Sequence, residues 1–490
     1  MAIDLAGLNE DTRAVLANTP TRAFLGGEWF EAKRRMPVEN PATAAVIGEV
    51  SDVEPSEFET ALGVADAFQE EFAGLATRQR AEILRRTFDL LMARQEELAH
   101  IITLEMGKPL AESRSEVAYA AEFFRWFSEE AVRFGGDYRQ SPAGNGRILV
   151  MHKPVGPSLF ITPWNFPIAM GARKIAPAFA AGCTSIVKPA SATPLTMLAL
   201  AKIMEEAGAP VGSLSVLPTS QASATTTPLI HDPRLRKLSF TGSTAVGRGL
   251  LAEASSQVLR VSMELGGNAP FVVFDDANLS AAVEGAMVAK LRNGGEACTS
   301  ANRFLVHEAV VDEFIDRLSA AMAAVQVGSG FEDGVELGPL IDHEAQSRVS
   351  EWMAEAQHDG ATLHLGGRSL PGPGWFFEPT VISNVGADTK LNRDEIFAPV
   401  AAIRTFANED EAIEMANDTE YGLIAYVYTE GLRRGLRVCE AIEAGMVGLN
   451  RGVISDPAAP FGGIKQSGLG REGGFQGIYE YLETKYIGVA

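Results

Sequence analysis

Apolar residues spaced three and four apart run through residues 77–106. Ile83, Leu84, Phe88, Leu91, Leu98 and Ile102 fall on one stripe, which predicts a single long helix. Thr77 is placed to cap it, and Gly107 and Pro109 to stop it. The same period predicts a second helix over 110–133. Beyond residue 147 the period shortens. Strands are predicted at 147–153, 158–162, 184–188, 215–217, 237–240 and 258–263, with helices at 167–180, 194–207, 221–230 and 244–255 between them. A second alternating group places strands at 270–274, 303–307, 424–428 and 446–450, and helices at 278–292 and 310–325. Buried strands alternating with helices predict parallel sheets covered on both faces, an α/β fold of the nucleotide-binding type. Two lobes with a cleft between them follow. The glycine-rich stretch 461–472 is too regular for a linker.

Composition supports a large folded core: 490 residues, 46% apolar. The 63 acidic and 42 basic side chains leave a net charge of −21, which argues against nucleic acid and anionic membrane surfaces as partners. The best candidate for a membrane span, around 169–187, is broken by Arg173 and Lys174. The N-terminus has no basic stretch followed by an apolar one, so a cytoplasmic location is expected. Cys183, Cys298 and Cys439 have no metal-ligand spacing. They suit free thiols in a reducing compartment, and no metal site is expected.

Several segments can carry chemistry. At Lys237–Gly247 a strand ends in a glycine turn and a helix begins, a geometry that suits an anion but also serves as a plain turn. Lys188 ends another strand, where it can meet a ribose or phosphate, or simply solvent. Cys298 follows Gly294 and Gly295 among small residues that leave its sulfur reachable; a thiolate there attacks carbonyls if the site lowers its pKa. A buried, inert thiol is the other reading, and it is the one assigned to Cys183 and Cys439. Glu264 closes a strand beside glycines, as a general base or an exposed side chain. Asn165 lies between Pro163 and Pro167, as a fixed amide donor or an Asx turn. Seven histidines leave a Cys–His hydrolase open.

Taken together, the chain resembles the aldehyde dehydrogenase superfamily. The segments beginning Pro163-Trp-Asn-Phe-Pro, Val187-Lys-Pro-Ala, Phe240-Thr-Gly-Ser-Thr, Met263-Glu-Leu-Gly-Gly-Asn, Gly294-Gly-Glu-Ala-Cys, Glu395-Ile-Phe-Ala-Pro and Pro460-Phe-Gly-Gly-Ile-Lys match that family in order. The resemblance implies Cys298 as nucleophile, Asn165 with the Cys298 backbone N–H as oxyanion hole, and Glu264 as the base that activates water. It implies Trp164, Lys188, Ser191, Gly242, Ser243, Gly247, Glu395 and Phe397 around a nicotinamide dinucleotide. Retention of Glu264 favours hydrolysis of a thioester over its transfer to coenzyme A. Glu296 and Ala398 depart from the family's usual Gln and Gly. Ser300 replaces the second cysteine that some members carry, so a redox disulfide is not expected.

Within the family the chain is most similar to succinate-semialdehyde dehydrogenases. That likeness places the substrate's distal carboxylate against Arg173, Arg292 and Ser455, where guanidinium groups suit it. Internal salt bridges are the competing role for the arginines. A dehydrogenase for uncharged aliphatic or hydroxy aldehydes is the alternative. Ser191 stands where NAD-preferring relatives often carry Glu, so NADP is favoured, with NAD also usable. The family fold implies a Rossmann-type cofactor domain over 1–133 and 153–264 and an α/β catalytic domain over 265–460. A β-strand oligomerisation flap over 134–152 and 480–490 would build a homodimer or homotetramer.

Overall fold

A computed structural model describes residues 3–5 and 7–490. Two sheets dominate. The first has five parallel strands in the order Arg260–Glu264, Lys237–Thr241, Ser158–Ile161, Ser185–Lys188 and Leu214–Val216. Antiparallel Gly468–Leu469 extends one side, and Ala23–Leu25 with Glu28–Phe30 extends the other. Register aligns the strand ends: Ile161 pairs with Lys188, and Thr241 with Glu264. Their side chains and following turns therefore gather at one sheet edge, where ligands of open α/β sheets sit.

The second sheet has seven strands, in the order Thr362–Leu365, Thr380–Ser383, Val400–Phe406, Ala301–His307, Ala269–Val273, Ile424–Tyr428 and Met446–Leu449. All pairings are parallel except at the Thr362–Leu365 edge. A third, antiparallel sheet joins Asp137–Gln140, Arg147–Pro154 and Leu482–Val489. Among the described residues no helix is long and apolar enough to cross a membrane.

The single helix expected over 77–106 is two, Thr77–Ala93 and Gln95–Met106. Arg94 leaves helical geometry (φ −109°, ψ 22°), and its guanidinium is drawn to Glu206 on the helix Pro194–Glu206. The apolar stripe continues through the break because both pieces pack on one core. Thr77 is not the cap but the first helical residue; the Gln79 side chain accepts from the Ala76 N–H. Gly107 does end the second piece, with φ +93°. The strand expected from 258 begins at Arg260, because Val258 takes φ +50° to close the turn Ser255–Gln257. The helices Pro55–Gly74 and His343–His358 add to those expected.

Candidate active site

A cavity of about 610 Å³ opens between the two sheets. The strand-end residues Asn165, Gly242, Ser243 and Glu264 line one side, and Glu395 and Phe397 the other. Trp164 and Cys298 also face it. Eight residues singled out between positions 164 and 397 of the sequence thus share one cavity. Lys188, Ser191 and Gly247 lie outside its lining. Gly247 is needed for packing, since a Cβ there would lie 2.4 Å from Leu265 Cδ2.

Cys298 is reached through a broken helix end. The helix Leu279–Leu291 stops at Arg292, and Asn293, Gly294 and Gly295 all take positive φ, turning the chain towards the sulfur. The turn is held by long-range partners. Asn293 Nδ2 donates to the carbonyls of Asn165 (3.1 Å) and Glu296 (2.9 Å), and both Glu112 oxygens accept the Asn293 N–H. Asn165 Nδ2 donates to the Glu296 carbonyl at 2.9 Å, which leaves its second hydrogen free. Lys108 Nζ donates to the Asn165 carbonyl (2.7 Å) and to Glu116 Oε2 (2.6 Å). Glu116 Oε1 in turn accepts the N–H groups of Ile168 and Ala169. The amide and the thiol are thus fixed relative to each other by buried, charge-assisted bonds.

Electrostatics oppose a resting thiolate. Burial pushes the Cys298 thiol up to about 12, with Arg173 pulling the other way, so the ligand-free site does not lower the thiol's pKa. Glu264 is also raised, by burial and then by Glu472, and both of its oxygens are buried without hydrogen-bond partners. Glu472 sits low despite its burial, because Lys174 and Arg173 hold it ionised. Lys174 Nζ lies 2.6 Å from Glu472 Oε1. No histidine lines this cavity or the second pocket at Cys298, so the site holds no Cys–His dyad.

The residues present suit a dinucleotide. Lys188 is buried at its strand end, makes no side-chain hydrogen bond or ion pair among the described residues, and burial lowers its pKa to about 8. Thr241 Oγ1, in the cavity wall, is buried and unpartnered. The helix Thr244–Ala254 points its first amides towards the same edge, although the Gly242 N–H is taken by the Glu264 carbonyl. A Cβ at Gly242 would meet the Phe240 ring at 2.5 Å. Opposite, Glu395 accepts the Gly267 N–H at 3.2 Å, and burial raises it to about 7. Phe397 holds φ +52°, a conformation costing about 1–3 kcal/mol, with its ring edge-on to Trp164 at 5.5 Å. Ser191 lies exposed three positions beyond Lys188.

Cys298 also lines a second, small pocket of about 20 Å³, together with Arg173, Arg292, Ser455, Tyr119 and Phe461 among others. Arg173 is buried over the Phe461 ring (3.8 Å), with Nε at ion-pair distance, 2.8 Å, from Glu472 and Nη2 unpartnered. Burial works against its charge, but Glu472 together with Tyr119, Glu264 and Cys298 outweighs it and raises the pKa. Arg292 makes no ion pair among the described residues and rests 5.0 Å from the Phe166 ring centre. The internal salt bridge weighed as an alternative therefore exists for Arg173 and not for Arg292. Glu296 and Ala398 line neither space. The Glu296 carboxyl is buried, which raises its pKa, and accepts the Ile341 N–H at 3.0 Å. Sequence reasoning missed Lys108, Glu112, Glu116, Asn293, Glu472 and Tyr119. Only the acid–base pair at 108 and 116, eight apart around a helix start, left a trace.

Comparison with known proteins agrees with this geometry. Residues 29–487 match the aldehyde dehydrogenase family. A succinate-semialdehyde dehydrogenase of Paenarthrobacter nicotinovorans is 57% identical over 88% of this chain and 96% of its own length. A glutarate-semialdehyde dehydrogenase of Pseudomonas aeruginosa is 48% identical over 95% and 97%. The crystal structure of an NADP-dependent enzyme of E. coli superposes with a TM-score of 0.95 at 45% identity, covering 96% of this chain and 98% of that one. A cysteine facing the cavity between the two sheets, a family match over residues 29–487 and a fold shared with the E. coli enzyme lead to one conclusion: the chain belongs to the aldehyde dehydrogenase family.

Proposed function

We propose that this protein oxidises a short aldehyde carrying a distal carboxylate, succinate semialdehyde foremost, to the corresponding acid. Cys298 attacks the aldehyde carbon and forms a thiohemiacetal. The free Asn165 Nδ2 hydrogen and the Cys298 N–H hold the developing oxyanion. A bound NADP or NAD supplies the hydride acceptor. Lys188 and Glu395 would hold its two riboses, Ser191 would accommodate a 2′-phosphate, and Gly242 and Ser243 would flank the pyrophosphate. Trp164 and Phe397 would pack beside the nicotinamide. Loss of hydride from the thiohemiacetal carbon would leave a thioester on Cys298. Glu264, once ionised against the burial that favours its acid form, takes a proton from water as it attacks that thioester, breaking the C–S bond and releasing the acid.

The observation that carries the substrate class is Arg292. It is a cation without an ion pair among the described residues, in a small pocket that it shares with Cys298, Arg173 and Ser455. The similarity to succinate- and glutarate-semialdehyde dehydrogenases supports the same class. The test compares kcat/KM for succinate semialdehyde and butyraldehyde, each with NADP and NAD. A preference for the charged aldehyde of a hundredfold or more, lost in Arg292→Ala, is expected. Equal turnover of both aldehydes would favour a dehydrogenase of uncharged substrates. We also read the sheet of Asp137–Gln140, Arg147–Pro154 and Leu482–Val489 as the contact that builds a dimer or a tetramer of dimers.

A further inference from the structure

The small second pocket at Cys298 contains a polar group that no role above uses. Tyr119 lies on the helix Leu110–Glu130 and lines that pocket with Arg173, Arg292 and Ser455. Its ring is fixed edge-on against Phe123, with centroids 5.1 Å apart at 80°. Its hydroxyl is buried and has no hydrogen-bond partner among the described residues. Buried hydroxyls nearly always find a partner, so an orphan at a binding pocket marks a place where a ligand supplies one. Besides burial, the groups that act on this hydroxyl are Arg173, Arg292, Glu472 and Cys298, so it stands among the charges that surround the proposed carboxylate. Burial raises its pKa, which keeps the proton on the oxygen and makes the group a donor.

We propose that the Tyr119 hydroxyl donates a hydrogen bond to the substrate's distal carboxylate, and so sets preference for a charged over an uncharged aldehyde. This rests on the reading of Arg292 and Ser455 as carboxylate ligands. A carboxylate has about four acceptor positions, and two guanidinium groups with two hydroxyls fill them. An aldehyde ending in a methyl group leaves the Tyr119 hydroxyl as unpartnered as it is in the free protein. Discrimination then comes from both sides: a bond gained with one substrate and a donor left dry with the other.

The test is Tyr119→Phe, which keeps the ring and its packing against Phe123 and removes only the oxygen. The ratio of kcat/KM for succinate semialdehyde to that for butyraldehyde should fall at least tenfold, with the loss in KM rather than kcat. Succinate, used as a competitive inhibitor of butyraldehyde oxidation, should weaken by a similar factor. A merely structural role would lower both substrates together and leave the ratio and the inhibition constant where they were, and that result overturns the proposal. Arg292→Ala, run in parallel, separates the two ideas. If it abolishes the preference while Tyr119→Phe does not, only the role of Tyr119 falls. If the unaltered enzyme shows no preference, the carboxylate reading falls and takes this proposal with it.

Discussion

At the scale of single residues, Cys298 and Glu264 share an unusual starting point: burial favours the protonated form of each. A thiol at about 12 is almost wholly protonated at neutral pH, and its thiolate fraction rises tenfold per pH unit until the pKa is passed. Inactivation of the ligand-free enzyme by iodoacetamide should therefore climb steadily from pH 6 to pH 9. A plateau near neutrality would show the thiolate already formed and contradict this reading. Cys298, Glu264 and Asn165 were legible in the sequence because each stands where a strand or helix ends beside glycine or proline. Tyr119, Lys108 and Glu472 were not, because what singles them out is a partner, or the want of one, supplied by distant chain.

At the scale of elements, the start of the helix Leu110–Glu130 braces the site. The Lys108–Glu116 pair is fully buried, and removing one member of such a pair typically costs about 3–5 kcal/mol, because the other charge is stranded. Lys108→Met should lose stability of that order in urea unfolding and lower kcat more than KM, since the Asn165 carbonyl loses its anchor. Adding Glu116→Gln should restore part of the stability but not kcat. Recovery of both would reduce Lys108 to a structural residue. The strand–helix alternation was readable over most of 147–325 because fully buried parallel strands give continuous apolar runs. The break at Arg94 was not, since apolar spacing is the same on both sides and the cause lies on another helix.

At the scale of the whole molecule, a net charge of −21 surrounds a centre where Arg173, Lys174, Arg292 and Lys108 converge. Low-dielectric walls let these few cations act on an anionic ligand despite the acidic exterior. The small antiparallel sheet leaves Tyr138, on the edge strand Asp137–Gln140, at 68% exposure and Tyr486, on the opposite edge strand Leu482–Val489, at 64%. Such a surface invites a partner. Replacing both tyrosines with Glu should shift the mass seen by light scattering from multimer towards monomer. An unchanged mass would place the contact elsewhere.

The site is also distributed along the chain in an order with consequences for its making. Lys108, Asn165, Glu264 and Asn293 come early or midway, but Glu472 lies near the C-terminus, and the Gly468–Leu469 strand beside it closes the sheet edge at Glu264. A ribosome releases Cys298 well before the residues that set the charge of its neighbourhood. The nascent protein therefore carries Glu264 without Glu472 beside it, and the surroundings of that carboxyl are complete only once the last turns of the chain have docked.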